Sequence, residues 1–169
     1  EQGNIQLLQY GGELDPDARG GTRLLPHGGL HLGGGGVNRF VRVRTRSTLD
    51  VGGAGSHASL FVTAHGSIGA VVPLNDSQIR LSAALQSRLN ALVQYLPRHA
   101  GLNPRAFRAF QPLRNNVQMH ERRLVDAQLI SEFMLLDRTK RAEIARLCNA
   151  SEPQIFATLS VVDDVTRRF

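Results

Sequence analysis

The stretch HGSIGAVVPLNDSQIRLSAALQSRLNALVQYLP, residues 65–97, holds the change of pattern on which the fold turns. Up to Leu74 the chain reads as short β-forming runs broken by glycine. From Asn75 onward Leu81, Leu85, Leu89, Leu92 and Leu96 recur at steps of three and four, the spacing of one apolar face of a helix. Asn75 or Asp76 caps that helix, because a short side-chain oxygen there accepts from the first free backbone N–H groups. Pro97 stops it, having no N–H and biasing Leu96 away from helical angles. The sequence therefore divides into a sheet-forming part, residues 1–74, and a helical part, residues 75–169.

Working back from the switch, Asn4–Tyr10, Arg23–Leu25, Leu30–Leu32, Val37–Arg44, Leu60–Ala64 and Ile68–Leu74 read as strands separated by glycine-rich turns. His65-Gly66-Ser67 is short enough to turn a hairpin. Strands at this spacing suit an antiparallel barrel or propeller. They are too few to close a propeller, so the expected class is β + α. The first part would be the incomplete terminal part of a β-propeller, with open edges, followed by a small C-terminal helical bundle.

Working forward, LPRHAGLNPRAFRAF, residues 96–110, reads as a rigid turn and short helix. Asn103 stands at the N-cap and Pro104 at the first helical position. Leu102 and Phe107 suit a hydrophobic staple. Arg105 and Arg108 share one face, and Phe107 and Phe110 another. Arg114–Arg123 reads as a polar connector. Asp126 caps a third helix with Leu129, Ile130, Phe133 and Met134 inward. A fourth, Thr139–Cys148, carries Ile144, Leu147 and Cys148 as its stripe and stops at Asn149. Ser151 and Gln154 form a capping box around Pro153 and open a last helix through Ile155, Leu159, Val162 and Val165.

The formal charge is +6, and 19 of the 20 basic residues are arginine, Lys140 being the exception. Between Arg98 and Arg123 there are six arginines and one acid, Glu121. Such a patch points to nucleic acid or an acidic partner, or is simply a solvated positive loop. Cys148 is the only cysteine, which excludes a disulfide framework and suits a reducing compartment. No run approaches the roughly 20 apolar residues of a membrane span. The opening Glu-Gln-Gly-Asn has neither a methionine nor a signal-peptide pattern, so we expect a piece of a longer chain.

Catalytic and metal motifs do not assemble. Gly33–Gly36 precedes a strand rather than the helix N-terminus that a phosphate cradle needs. No G-x-S-x-G elbow occurs. The histidines 27, 31, 57, 65, 99 and 120 include no i,i+4 pair on a helix. Asp163 and Asp164 are adjacent on a helix and point in different directions. Arg42, Arg44 and Arg46 alternate along a strand and share one face. That face either tracks a phosphate backbone or is the wet side of an edge strand, and the second is favoured because Phe40 is the only aromatic nearby.

Several stretches together resemble a known family: GGTRLLPHGGLHLG (20–33), VNRF (37–40), HGSIGAVVPL (65–74), LQSRLNALVQYLPRHAGLNPRAFRAF (85–110), RRLVDAQLISEFMLL (122–136) and DVTRRF (164–169). The set is similar to the C-terminal end of the large triple-propeller proteins. These include the large subunit of cleavage and polyadenylation specificity factor, the damaged-DNA-binding protein 1 family and subunit 3 of splicing factor 3b. The stretch at 96–108 resembles the polyadenylation branch. Ala127 follows Asp126 where that family usually has glycine.

The resemblance implies a non-enzymatic nuclear scaffold of pre-mRNA 3′-end processing. It implies no cofactor, no metal, no membrane and no small-molecule substrate. Its partners would be WD-repeat and zinc-finger subunits, with pre-mRNA met directly or through them. On this reading Arg98, His99, Asn103, Arg105 and Arg108 contact a partner, and Leu102, Phe107 and Phe110 anchor the turn. The alternative is a direct RNA-binding module using Arg42, Arg44, Arg46, Arg114, Arg122 and Arg123. A hydrolase using one of the histidines ranks third.

Overall fold

A computed structural model of the chain describes residues 4–14, 16–17, 19–31, 36–44, 57–92 and 124–166. Strands β1 (Asn4–Leu14) and β2 (Thr22–His31) pair as an antiparallel ribbon, from Asn4 opposite His31 to Leu14 opposite Thr22. The sequence suggests two short strands in place of β2, divided at Pro26-His27-Gly28-Gly29. The strand instead continues, and the register shifts between Leu7 and Leu8, where Leu8 faces Pro26. A proline cannot donate to the ladder, and an irregularity absorbs it without ending the strand. Gly20 and Gly21, at φ +97° and +79°, make the turn.

The second sheet holds β3 (Val37–Arg44), β4 (His57–Thr63) and β5 (Ile68–Val71) in the order β3-β4-β5, all antiparallel. The β4–β5 turn closes as the His-Gly-Ser reading predicts. The Thr63 N–H donates to the Ser67 carbonyl at 2.9 Å, the Ser67 N–H donates to Thr63 Oγ1 at 3.1 Å, and Gly66 takes φ +81°. Phe61 faces Gly69 across this hairpin, and its ring occupies the space where a Cβ on residue 69 would stand. On the other side Phe61 meets Phe40, with ring centroids 6.0 Å apart and tilted by 54°. Among the described residues neither sheet closes on itself, and Tyr10, Leu14 and Ile68 are largely exposed.

Helix α1 (Asp76–Ala91) begins at the pattern change. Asn75 is the cap, and Gln78 completes a capping box by accepting from the Asn75 N–H. Asp126 caps α2 (Ala127–Ser131), which tightens into a 3-10 turn over Glu132–Leu135. Helix α3 (Arg138–Leu147) is capped by Asp137, and α4 (Glu152–Thr166) by the Ser151–Gln154 pair. Asn149 takes φ 51° between α3 and α4, a conformation asparagine tolerates at a helix end.

These helices share one core: Leu85 and Leu89 from α1, Leu129 and Ile130 from α2, Phe133 and Leu136, Ile144 and Ala145 from α3, Ile155 and Leu159 from α4. Burying one such aliphatic side chain contributes about 1.5–3 kcal/mol. Among the strand residues whose side chains are described, Ile5, Ala58 and Phe61 are the buried hydrophobic ones, whereas the helical part contributes ten.

Two assignments in the helical part also change. Met134 is exposed, because the 3-10 turn advances three residues per turn, keeping Phe133 in phase with Ile130 and turning Met134 outward. Leu147 is also exposed, since the inward stripe of α3 runs through Ile144, Ala145 and the half-buried Cys148. Among the described residues no helix is long and apolar enough to cross a membrane.

Two outcomes follow from this packing. Gly69→Ala forces the Phe61 ring off its seat, and equilibrium unfolding is expected to show a loss of about 1–3 kcal/mol. The Asp137 carboxyl is held below its ordinary value, chiefly by the Lys140 backbone N–H at 2.8 Å, with burial opposing. Because the folded value is depressed, the charged cap stabilises above the unfolded value of about 3.9 and this is lost as pH falls through the folded one. Unfolding of Asp137→Asn, measured beside the original from neutral pH to about pH 2, should therefore show a difference that shrinks below about pH 4.

Candidate functional site

The residues singled out for partner binding, Arg98, His99, Asn103, Arg105 and Arg108, and the anchors Leu102, Phe107 and Phe110, lie outside the described residues. So do Arg46, Arg114, Arg122 and Arg123. What the structure does define is the base from which residues 93–123 depart and to which they return. Helix α1 ends at Leu92, whose N–H donates to the Leu89 carbonyl at 2.9 Å. The chain re-enters at Leu124–Asp126. There the Asp126 N–H donates to Gln86 Oε1 at 2.6 Å, and both residues are buried.

Asp126 then turns its carboxylate onto the N–H groups of Gln128 and Leu129, capping α2. One α1 side chain thus fixes the start of α2, and both ends of the intervening segment sit at the C-terminal half of α1. Sequence reading places Asp126 correctly and misses Gln86. Its only signal is a polar residue beside Leu85 on the buried face of an amphipathic helix, a position that requires a hydrogen-bond partner.

Arg42 and Arg44 are described, and both are exposed on β3, an outer strand of its sheet. Pairing across β3 and β4 puts Phe40 opposite Phe61, Arg42 opposite Ser59 and Arg44 opposite His57. Alternation brings Phe40, Arg42 and Arg44 to one face, while Arg39, Val41 and Val43 share the other. No aspartate or glutamate occurs in β3, β4 or β5. The face is cationic and carries an exposed ring at one end.

A further arginine, Arg141 of α3, reaches across to α4. Its Nη1 donates to the Leu136 carbonyl at 3.2 Å, its Nε lies 3.5 Å from Glu152 Oε2, and its guanidinium stands 5.8 Å from the Phe156 ring centroid. Phe156 in turn meets Phe133 edge-on at 5.6 Å. A groove of about 490 Å³ runs between α1 and α4, lined by Gln78, Leu81, Ala84, Cys148, Gln154 and Thr158 among others. Burial pushes the Cys148 thiol up, and Arg88 only partly opposes that, so the thiolate is disfavoured. Among the described residues no cluster of histidine, cysteine and carboxylate side chains could hold a metal ion.

The architecture is that of a mixed protein, with antiparallel sheets followed by helices around a separate apolar core and a cationic strand face. The profile of the family described as the CPSF A subunit region matches residues 1–135, and the chain belongs to that family. It is similar to cleavage and polyadenylation specificity factor subunit 1 of Arabidopsis thaliana, 30% identical over 94% of this chain and 11% of the relative. It is also similar to protein cft1 of Aspergillus clavatus, 29% identical over 94% of this chain and 12% of the relative. A probable subunit 1 of the same factor from Oryza sativa subsp. japonica is 25% identical over 93% of this chain and 11% of that relative. The chain thus spans only 11–12% of the length of these relatives. The family match stops at residue 135, while the relatives' similarity covers almost all of the chain.

The Gln86–Asp126 bond gives a direct test. Gln86→Leu keeps the volume and removes the acceptor, leaving a buried N–H unpaired. Thermal or chemical unfolding should show about 1–3 kcal/mol of destabilisation, and restoring an acceptor with Gln86→Glu should recover part of it.

Proposed function

We propose that this chain is part of a non-enzymatic scaffold in nuclear pre-mRNA 3′-end processing, holding the subunits that recognise the polyadenylation signal. Residues 1–74 would supply the last strands of a β-propeller, and residues 75–169 a C-terminal helical bundle docked beside it. The observation that carries this reading is the mismatch between the two parts. The helical part buries ten core residues against one another, whereas the strands leave Leu7, Leu8, Tyr10, Leu14 and Leu24 exposed along one ribbon. An apolar ribbon of that length calls for cover by other strands or other chains. Family membership supports the same reading, since the relatives are named as subunits of the cleavage and polyadenylation factor.

In this scheme residues 96–110 are the docking turn. Arg98, His99, Asn103, Arg105 and Arg108 meet an acidic or carbonyl-rich surface of a WD-repeat or zinc-finger subunit, and Leu102, Phe107 and Phe110 anchor the turn. Pre-mRNA is then held mainly through those partners. The test is capture of partner subunits by the full-length protein, its Arg105→Glu variant and a form lacking residues 76–169. Arg105→Glu is expected to lower partner recovery severalfold at unchanged thermal stability, and the truncation to abolish it. Undiminished capture by both would overturn the scaffold assignment for this region.

A further inference from the structure

The β3 face lies outside the residues assigned above to docking of protein subunits. Phe40, Arg42 and Arg44 stand on one face at every second position, spanning roughly 13 Å at ~3.3 Å per residue. Phe40 is 52% exposed, although its ring is supported by Phe61 at 6.0 Å. Phe61 in turn lies on the backbone at Gly69, where the absent Cβ lets the ring settle onto the sheet. Phe40 is therefore an exposed ring held in place from behind rather than a loose surface side chain.

Beyond it, Arg42 and Arg44 are exposed, and the half-buried imidazole of His57 faces Arg44 across the β3–β4 pair. No carboxylate from any of the three strands offsets this charge. A protein edge built only to prevent mispairing needs charge but no braced aromatic ring. A single-stranded polynucleotide needs both, a ring for a base to stack on and guanidinia for the phosphates that follow.

We propose that the Phe40–Arg42–Arg44 face of β3 binds single-stranded RNA directly, with a base on Phe40 and the following phosphates on Arg42 and Arg44. The inference rests on the 3′-end-processing reading for its choice of RNA as the polynucleotide. It adds a contact made by this chain itself beside those made through partners.

The experiment uses the full-length protein and a fluorescein-labelled single-stranded oligoribonucleotide of mixed sequence, with anisotropy titrations over a range of salt. Phe40→Ala is expected to weaken binding about tenfold at every salt concentration, and Phe40→Tyr to restore it. Arg42→Gln with Arg44→Gln is expected to lower the slope of log affinity against log salt by about 1.4, or 0.7 for each phosphate left without its guanidinium. Because both arginines are exposed, this double variant keeps the test decisive if Phe40→Ala fails to fold.

Wild-type affinity and salt slope in folded variants overturn the proposal. Loss of an acidic partner subunit at unchanged RNA affinity also overturns it and makes the face a protein-docking surface. Failure of the processing reading is seen separately, as absence of cleavage and polyadenylation subunits from the purified wild-type protein, whatever the RNA titrations show.

Discussion

The helical part depends on one contact, the Leu85–Leu89 face of α1 laid against Leu129 and Ile130 of α2 and against Ile144 and Ile155 beyond them. These elements are far apart in sequence, so the contact has to offset the chain entropy of bringing Leu92 and Leu124 together. That cost grows only slowly with sequence separation, which is why α1 and α2 can meet although residues 93–123 lie between them. Apolar burial is not directional, however, and does not specify where α2 begins. The Gln86–Asp126 hydrogen bond supplies that direction by fixing the backbone at the cap of α2. Leu85 and Leu89 bring the helices together, and Gln86 between them sets the register.

The strands work under the opposite constraint. A two-stranded ribbon such as β1–β2 has two faces and is too thin to bury both, and among the described side chains Leu7, Leu8, Leu14 and Leu24 remain exposed while Ile5 is buried. The three-stranded sheet solves part of the problem locally, by seating Phe61 on Gly69 and leaning Phe40 on Phe61. That column of rings and glycine pins the β3–β4–β5 register, because a slip of one residue would turn Phe61 to the other face. It also leaves Phe40 on the surface.

Much of this is legible in the sequence, for identifiable reasons. The boundaries of β3 follow from alternation between a glycine run and a polar run. Helix α1 and its Asn75 cap follow from leucine spacing and one short polar side chain, and Asp126 from the same logic. Met134 and Leu147 are misplaced because a stripe of apolar residues does not announce a switch from α to 3-10 geometry, nor which of two adjacent apolar residues leads. β2 is divided at Pro26 because a proline ends most strands, and only the opposing chain can absorb one as an irregularity. Gln86 and the Phe40–Phe61–Gly69 column are out of reach for another reason. Each depends on pairing between separate elements, and single-chain periodicity carries no information about such pairs. Of the arginine-rich segment 98–123, the stretch to Phe110 is legible as a two-faced turn and helix, while Arg114–Arg123 is legible as charge alone, since a charge run lacks the periodicity that places it on a face.

The choice of arginine over lysine gives these observations a common thread. The single lysine, Lys140, pairs with Asp137 at 3.6 Å on an exposed helix turn, a contact that in water contributes little. Arg141, the next residue, uses a planar guanidinium to address a carbonyl, a carboxylate and an aromatic ring together. A compact ammonium cannot match that planar, forked geometry. Inside the helical part this versatility holds α3, α4 and the 3-10 turn to one another. On β3 the same side chain stands beside an exposed, braced ring with no acid in the described strands of its sheet. Phosphate oxygens and the flat faces of bases are the external counterparts of the acceptors and ring that Arg141 meets internally. The residue type that bridges α3 and α4 is thus the one that would suit the extended polyanion proposed for the β3 face.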